Sequence, residues 1–181
     1  ITYGDWSSDV CSSDLMSPDV TVDVAFIGQR LESNIHVFRG LFDSLQETQP
    51  RWKPAPDKWS ILEVANHLAD EEKEDFGTRL RLLLDDPARE WPRIDPVGWA
   101  VQREYLKREL KESAERFFQA RQQNLTWLRS LQHPDWTKAR PLPSGEVISA
   151  GDLLCSWLVH DMIHIRQINR LHHDYLETLD R

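Results

Sequence analysis

The sequence has little cysteine, little glycine and no long apolar run, and each shortage narrows its class. Its two cysteines, Cys11 and Cys155, are too few for a disulfide framework. No apolar stretch approaches the length of a membrane span, and no segment has the basic, apolar, small-residue order of a signal peptide. Positive charge is also short: 22 Lys and Arg stand against 30 Asp and Glu, a net charge of −8. That balance argues against a nucleic-acid backbone or an anionic membrane as the main partner. There is no glycine-rich phosphate loop and no basic groove. With 7 glycines and abundant Leu, Glu, Arg and Ala, the composition favours helices. The expectation is one domain of a cytoplasmic protein, long enough at 181 residues to close a sizeable core.

The first fifteen residues, ITYGDWSSDVCSSDL, show no helical or strand period and stop just before Met16. DWSSDVCSSDL looks like one reading frame of a sequencing-library adapter, so 1–15 is expected to be a non-native leader and 16–181 the domain. Without the leader's three aspartates the net charge would be −5, and Cys155 would be the single cysteine.

Residues 21–49 predict a first helix, with Val24, Ile27, Leu31, Ile35, Phe38, Phe42 and Leu45 on one face and His36 off it. Pro50, Pro54 and Pro56 end it. Ser60 and Glu63 form a capping box that opens a second helix, whose apolar face carries Ile61, Leu62, Ala65, Leu68, Phe76, Leu80 and Leu83. His67, Glu71 and Glu74 lie in a strip beside that face; Glu71 and Glu74 belong to an acidic run that would ordinarily be a solvated edge. Residues 85–96 are broken by proline and suit a crossover, so helices two and three are expected to run parallel. Trp91 and Trp99 are placed to pack over one end of the core. A third helix is expected over 101–131, with Leu106, Leu110, Phe117, Ala120, Leu128 and Leu131 inward. Residues 133–145 are irregular, PLPSGEVIS allows a short hairpin, and Ser149 with Asp152 starts a fourth helix. Four such helices make an all-α four-helix bundle.

The fourth helix carries the chemistry. On a 100° wheel, Leu153, Trp157, Ile168 and Leu171 fall in one stripe, with His160 and His164 in its middle and Gln167 at its edge. A buried imidazole can be satisfied by one or two hydrogen bonds, and the histidines could simply satisfy one another. A pair at i, i+4 also presents two nitrogens to one point, which suits a divalent metal. His67, in the apolar half of helix two, supplies a geometric route to a third ligand. Neutral imidazoles suit Zn, Ni or Fe(II), and three protein ligands leave an open position. Cys155 points away from the histidine face, Asp161 is turned about a quarter circle from it, and His133, His172 and His173 are expected in solvent.

The tract KWSILEVANHLADEE, followed much later by WLVHDMIHIRQI, resembles the DinB/YfiT-like superfamily of bacterial metalloproteins. The resemblance runs from about residue 21 to 175. It implies an up-down-down-up bundle and a divalent metal held by His67, His160 and His164, completed by water. It also implies one of two chemistries: transfer of a low-molecular-weight thiol (bacillithiol, mycothiol or glutathione) to a small-molecule substrate, or metal-dependent hydrolysis. In hydrolysis Glu71 is the candidate proton acceptor, although it could instead orient His67. Gln167 could orient His164 or a substrate. Proteins resembling this one often pair through helix faces, so a homodimer is expected. A bundle that binds metal or a small molecule without turnover is the remaining alternative.

Overall fold

The computed structural model describes residues 22–179. The leader reading of residues 1–15 lies outside the described residues.

Helix α1 (Val24–Asp43) starts where the Asp23 side chain accepts the Phe26 amide hydrogen, an N-cap that satisfies an otherwise unpaired donor. It ends six residues earlier than the periodicity predicts. Ser44 turns its amide onto Phe42 O, and Pro50, which has no amide to offer, then sits in a short 3-10 turn, Gln49–Arg51. The expected capping box opens α2 (Ile61–Asp70): Glu63 N donates to Ser60 Oγ at 3.3 Å and Ser60 N to Glu63 Oε2 at 2.8 Å.

The second rod is not a plain α-helix. After α2 it passes through a π-turn, Glu71–Phe76, and continues as α3 (Gly77–Asp85). A π-turn holds one residue more than the α-ladder and displaces its hydrogen bonds, so freed carbonyls need other donors. Asn124 Nδ2 donates to Glu72 O and Thr78 Oγ1 to Lys73 O, each at 2.8 Å. Gly77 leaves room for the first of these. A Cβ there would stand 2.6 Å from Asn124 Oδ1 and 2.8 Å from Glu72 O.

Residues 86–95 are irregular, as their prolines require. The third helix differs from expectation. Asp95 caps the Gly98 amide and Pro96 occupies the first turn, so α4 (Pro96–Gln102) starts early. The chain then breaks at Glu104, whose φ of 50° is left-handed, makes a 3-10 turn Tyr105–Lys107, and resumes as α5 (Leu110–Ser130). Leu106, expected inside, is 39% exposed, because Tyr105 takes the inward position and donates its hydroxyl to Asp70 Oδ2 at 2.6 Å. Trp99 is buried and Trp91 partly so, both packed by arginines. Strands β1 (Ala139–Pro141) and β2 (Val147–Ser149) form the short hairpin and lead into α6 (Ala150–Leu179).

The four rods, α1, α2–α3, α5 and α6, form a four-helix bundle with up-down-down-up order. α1 packs on α5 and α6, α2 on α5, and α3 on α6. The core falls into two apolar halves. One holds Leu31, Phe76, Leu80, Leu125, Leu153 and Trp157; the other holds Phe38, Ile61, Leu68, Phe117, Ile168 and Leu171. Between them every rod contributes buried polar groups at the same level: Asn34 from α1, His67, Glu71 and Glu72 from the second rod, Arg121 from α5, Asp161 and His164 from α6. The candidate site lies in this polar layer.

Candidate metal centre

α2 delivers His67 and α6 delivers His160 and His164, one turn apart, to a common point. The Nε2 atoms form a triangle: 3.2 Å from His67 to His160, 3.2 Å from His67 to His164 and 3.1 Å from His164 to His160. His67 and His164 are buried and His160 is half-buried. A ring N–H points along the outward bisector in the ring plane, so three of them cannot satisfy one another inside such a triangle. Three lone pairs converging on a cation can. Ligands about 2.05 Å from one tetrahedral ion stand about 3.3 Å apart, close to the edges seen here.

The outer ring nitrogens support that reading. Gln167 Oε1 lies 2.8 Å from His164 Nδ1, so a carbonyl oxygen takes the Nδ1 hydrogen and leaves Nε2 with its lone pair inward. Glu71 Oε1 lies 3.6 Å from His67 Nδ1, and neither atom has a hydrogen-bond partner. Such a buried pair without a bond is one small ring shift from making it. Burial pushes the imidazoles below their ordinary titration range: His67 and His160 well below it, the latter helped by the charges of His164, His67 and Arg121, and His164 to about 4. All three are therefore neutral at physiological pH, the form a metal requires. The Trp59 ring meets His67 edge-on at 5.0 Å, and Phe76 lies 5.0 Å from His160 while stacking on Trp157, so aromatic walls flank the centre.

A family model for the DinB superfamily matches residues 30–168. The chain belongs to the DinB superfamily. Among solved structures, YfiT from Bacillus subtilis, described as a probable metal-dependent hydrolase with an unusual four-helix bundle topology, aligns with a TM-score of 0.77 at 18% identity. The alignment covers 87% of this chain and 91% of YfiT. At that identity the likeness speaks for the fold. No curated protein matches the sequence.

In this DinB-superfamily chain, the remaining candidates divide by burial. Glu71 is not a solvated edge: it is buried beside His67, and burial and the Asp75 carboxylate push its own titration upward. Glu74 is partly exposed and holds Arg103 by two contacts, 2.7 and 3.0 Å. Cys155 is half-buried on the far side of α6, packed against the apolar half that contains Trp157. His36, His133 and His173 are exposed. His172 is not: Leu41 O lies 3.1 Å from its Nε2 and Gln49 Nε2 lies 3.1 Å from its Nδ1, which ties the end of α6 to the segment after α1.

Sequence reading missed the groups behind the centre. Arg121 is fully buried between Glu72 and Asp161, with Asn34, Asn124 and Trp157 bonded to the same carboxylates. Asp161 is turned from the histidines as the wheel predicts, but into this cluster rather than into solvent. The available signal was a charged residue interrupting an apolar stripe, since Arg121 follows Phe117 by four and precedes Leu125 by four.

Proposed function

We propose that this chain is a metal-dependent transferase using a low-molecular-weight thiol (bacillithiol, mycothiol or glutathione), with Zn, Ni or Fe(II) held by His67, His160 and His164. The triangle of inward-facing Nε2 atoms carries the reading. When bound, the ion lowers the pKa of a thiol or water at the position the histidines leave open. The chain's own groups then have distinct tasks. Gln167 fixes the His164 tautomer, Glu71 faces the outer nitrogen of His67, and Trp59 and Phe76 keep water from the flanks. Cys155 lies on the other side of α6, so among the described residues no cysteine reaches the centre, and in this proposal the reacting sulfur is that of the free thiol. Glu71 stands behind His67 rather than toward the open position. That placement suits a nucleophile needing little help to ionise: a free thiol has a pKa of about 8.5 against about 15.7 for water. The proposal places the protein in the cytoplasm, where such thiols are kept reduced; among the described residues no helix is long and apolar enough to cross a membrane.

Hydrolysis is the second reading, favoured by the description of YfiT. The two separate in one experiment on the full chain, purified without a histidine tag. Its metal content is measured, and each thiol is offered with an alkylating electrophile beside a panel of ester and amide substrates. Conjugation that needs both metal and one thiol, and that a chelator abolishes, supports transfer. Metal-dependent hydrolysis indifferent to thiol would replace transfer by the second reading. No metal after reconstitution with Zn, Ni and Fe(II) would sink both.

A further inference from the structure

We infer that Arg121, on a helix that gives no histidine to the centre, is a positioning residue: it sets the separation of the two helices that carry the imidazoles. The inference rests on the metal reading above and concerns how the chain keeps that site the right size.

Arg121 has a 1% exposed side chain and forks between two carboxylates. Its Nη2 lies 2.6 Å from Glu72 Oε1 and 2.7 Å from Asp161 Oδ1; its Nε and Nη1 reach the same two carboxylates at 2.8 Å each. Glu72 is on the rod that carries His67, five residues on, and Asp161 directly follows His160 on α6. One planar guanidinium therefore clasps both metal-bearing rods beside the metal site. The clasp has no slack. Glu72 Oε1 also accepts Trp157 Nε1 at 2.6 Å and Oε2 accepts Asn124 Nδ2 at 3.0 Å, while Asp161 Oδ2 accepts Asn34 Nδ2 at 2.8 Å. Arg121 Nη1 adds a bond to Leu31 O at 3.0 Å, which fixes the clasp against α1.

Stability does not explain such a cluster. Burying one cation and two carboxylates costs desolvation that their attraction at best offsets, and apolar replacements of like volume are often as stable. What a forked, fully bonded arginine supplies instead is a defined distance. The site needs that distance, because two edges of the histidine triangle, those reaching His67, cross between rods, while the third lies within α6. Widening the gap between the rods would open the two crossing edges and leave the ion on His160 and His164 alone. The apolar halves lie above and below this layer, so the clasp acts where their packing does not.

The test uses the full chain and Co(II) as a spectroscopic probe. Arg121→Lys keeps the charge but loses the fork, since one ammonium can at most replace the Nη2 contacts and the Nε and Nη1 bonds go. Its Co(II) affinity is expected to fall by at least about tenfold, with a change in the ligand-field bands that reports the loss of a nitrogen ligand. Phe42→Leu, about two turns along α1 from Asn34 and packed on Phe38 and Phe118, is the stability control: it should lower the melting temperature and leave affinity and bands unchanged. A helical Arg121→Lys protein with wild-type affinity and bands would overturn the inference. Should that variant not fold, Glu72→Gln loosens the same clasp on one side while keeping its shape. It is expected to shift the bands in the same direction with a fall of roughly threefold, and unchanged bands there would equally overturn it. Wild-type protein that binds no Co(II) would instead defeat the metal reading, and this inference with it.

Discussion

Three imidazoles with Nε2 atoms 3.1–3.2 Å apart have to stay neutral to share that space, and burial keeps them so. The same burial sets a pH dependence. His164 titrates at about 4 in the fold and near 6.5 in an unfolded chain. Between those values the unfolded chain binds more protons, so metal-free stability is full above about pH 6.5 and falls as pH drops toward 4. His164 alone accounts for on the order of 3 kcal/mol across that window, and His67 and His160 shift in the same direction. Chemical unfolding of the chelated protein at stepped pH checks this; a flat profile between pH 7 and 4.5 would contradict it. At the same scale, His160→Ala with His164→Ala should remove about one equivalent of metal per chain while helical circular dichroism persists. Metal retained by the double variant would place the site elsewhere. The triad was legible because two of its members stand four residues apart on an apolar stripe and the third sits in the apolar half of another helix. Arg121 was not, since a search for apolar recurrence passes over a charged residue, and its partners lie 49 and 40 positions away in sequence.

The elements were readable where local chemistry fixes them and unreadable where tertiary partners do. The Ser60 and Ser149 starts follow from capping residues alone. The π-turn Glu71–Phe76 depends on Asn124, a residue of another helix, and no local signal marks it; Glu71 reads as a solvated edge only because of the charges around it. The break before α5 depends likewise on Tyr105 finding Asp70. Gly77 is where this reliance is most exposed. Gly77→Ala should cost about 2–3 kcal/mol, because the new Cβ overlaps both Asn124 and Glu72 O. Gly40→Ala, on the exposed face of α1 with nothing within 4 Å, should instead stabilise by about 0.5–1 kcal/mol. Thermal melts of the two variants beside wild type compare them directly, and equal effects would mean the close approach at Gly77 is relieved without cost.

For the whole molecule, an ion held by His67, His160 and His164 would tie α2 to α6 and so link metal occupancy to global stability. An ion that binds the folded chain at a free concentration of about one hundred times its Kd adds about 2.7 kcal/mol. In a chain of this size that should raise the melting temperature by about 5–10 °C, reversed by a chelator. An unchanged melting temperature in protein shown to carry metal would mean that the ion does not bridge the two rods. The bundle was legible because helix lengths and proline breaks leave few arrangements, and its helix order because the proline-rich crossover agrees with the order the family resemblance implies. The layered interior was not, because two apolar halves separated by a polar level look in sequence like four ordinary amphipathic stripes.

The π-turn also bears on how this chain tolerates insertions and deletions. Removing one residue between Glu71 and Phe76 would restore an unbroken α-ladder, which local energetics favour. The extra residue is what the turn absorbs, so the side chains beyond it, Phe76, Leu80 and Leu83 among them, would keep facing their apolar half, and His67 would stay in place. The segment should therefore tolerate the loss of one residue better than α2 or α3, where a deletion turns everything beyond it by about 100°.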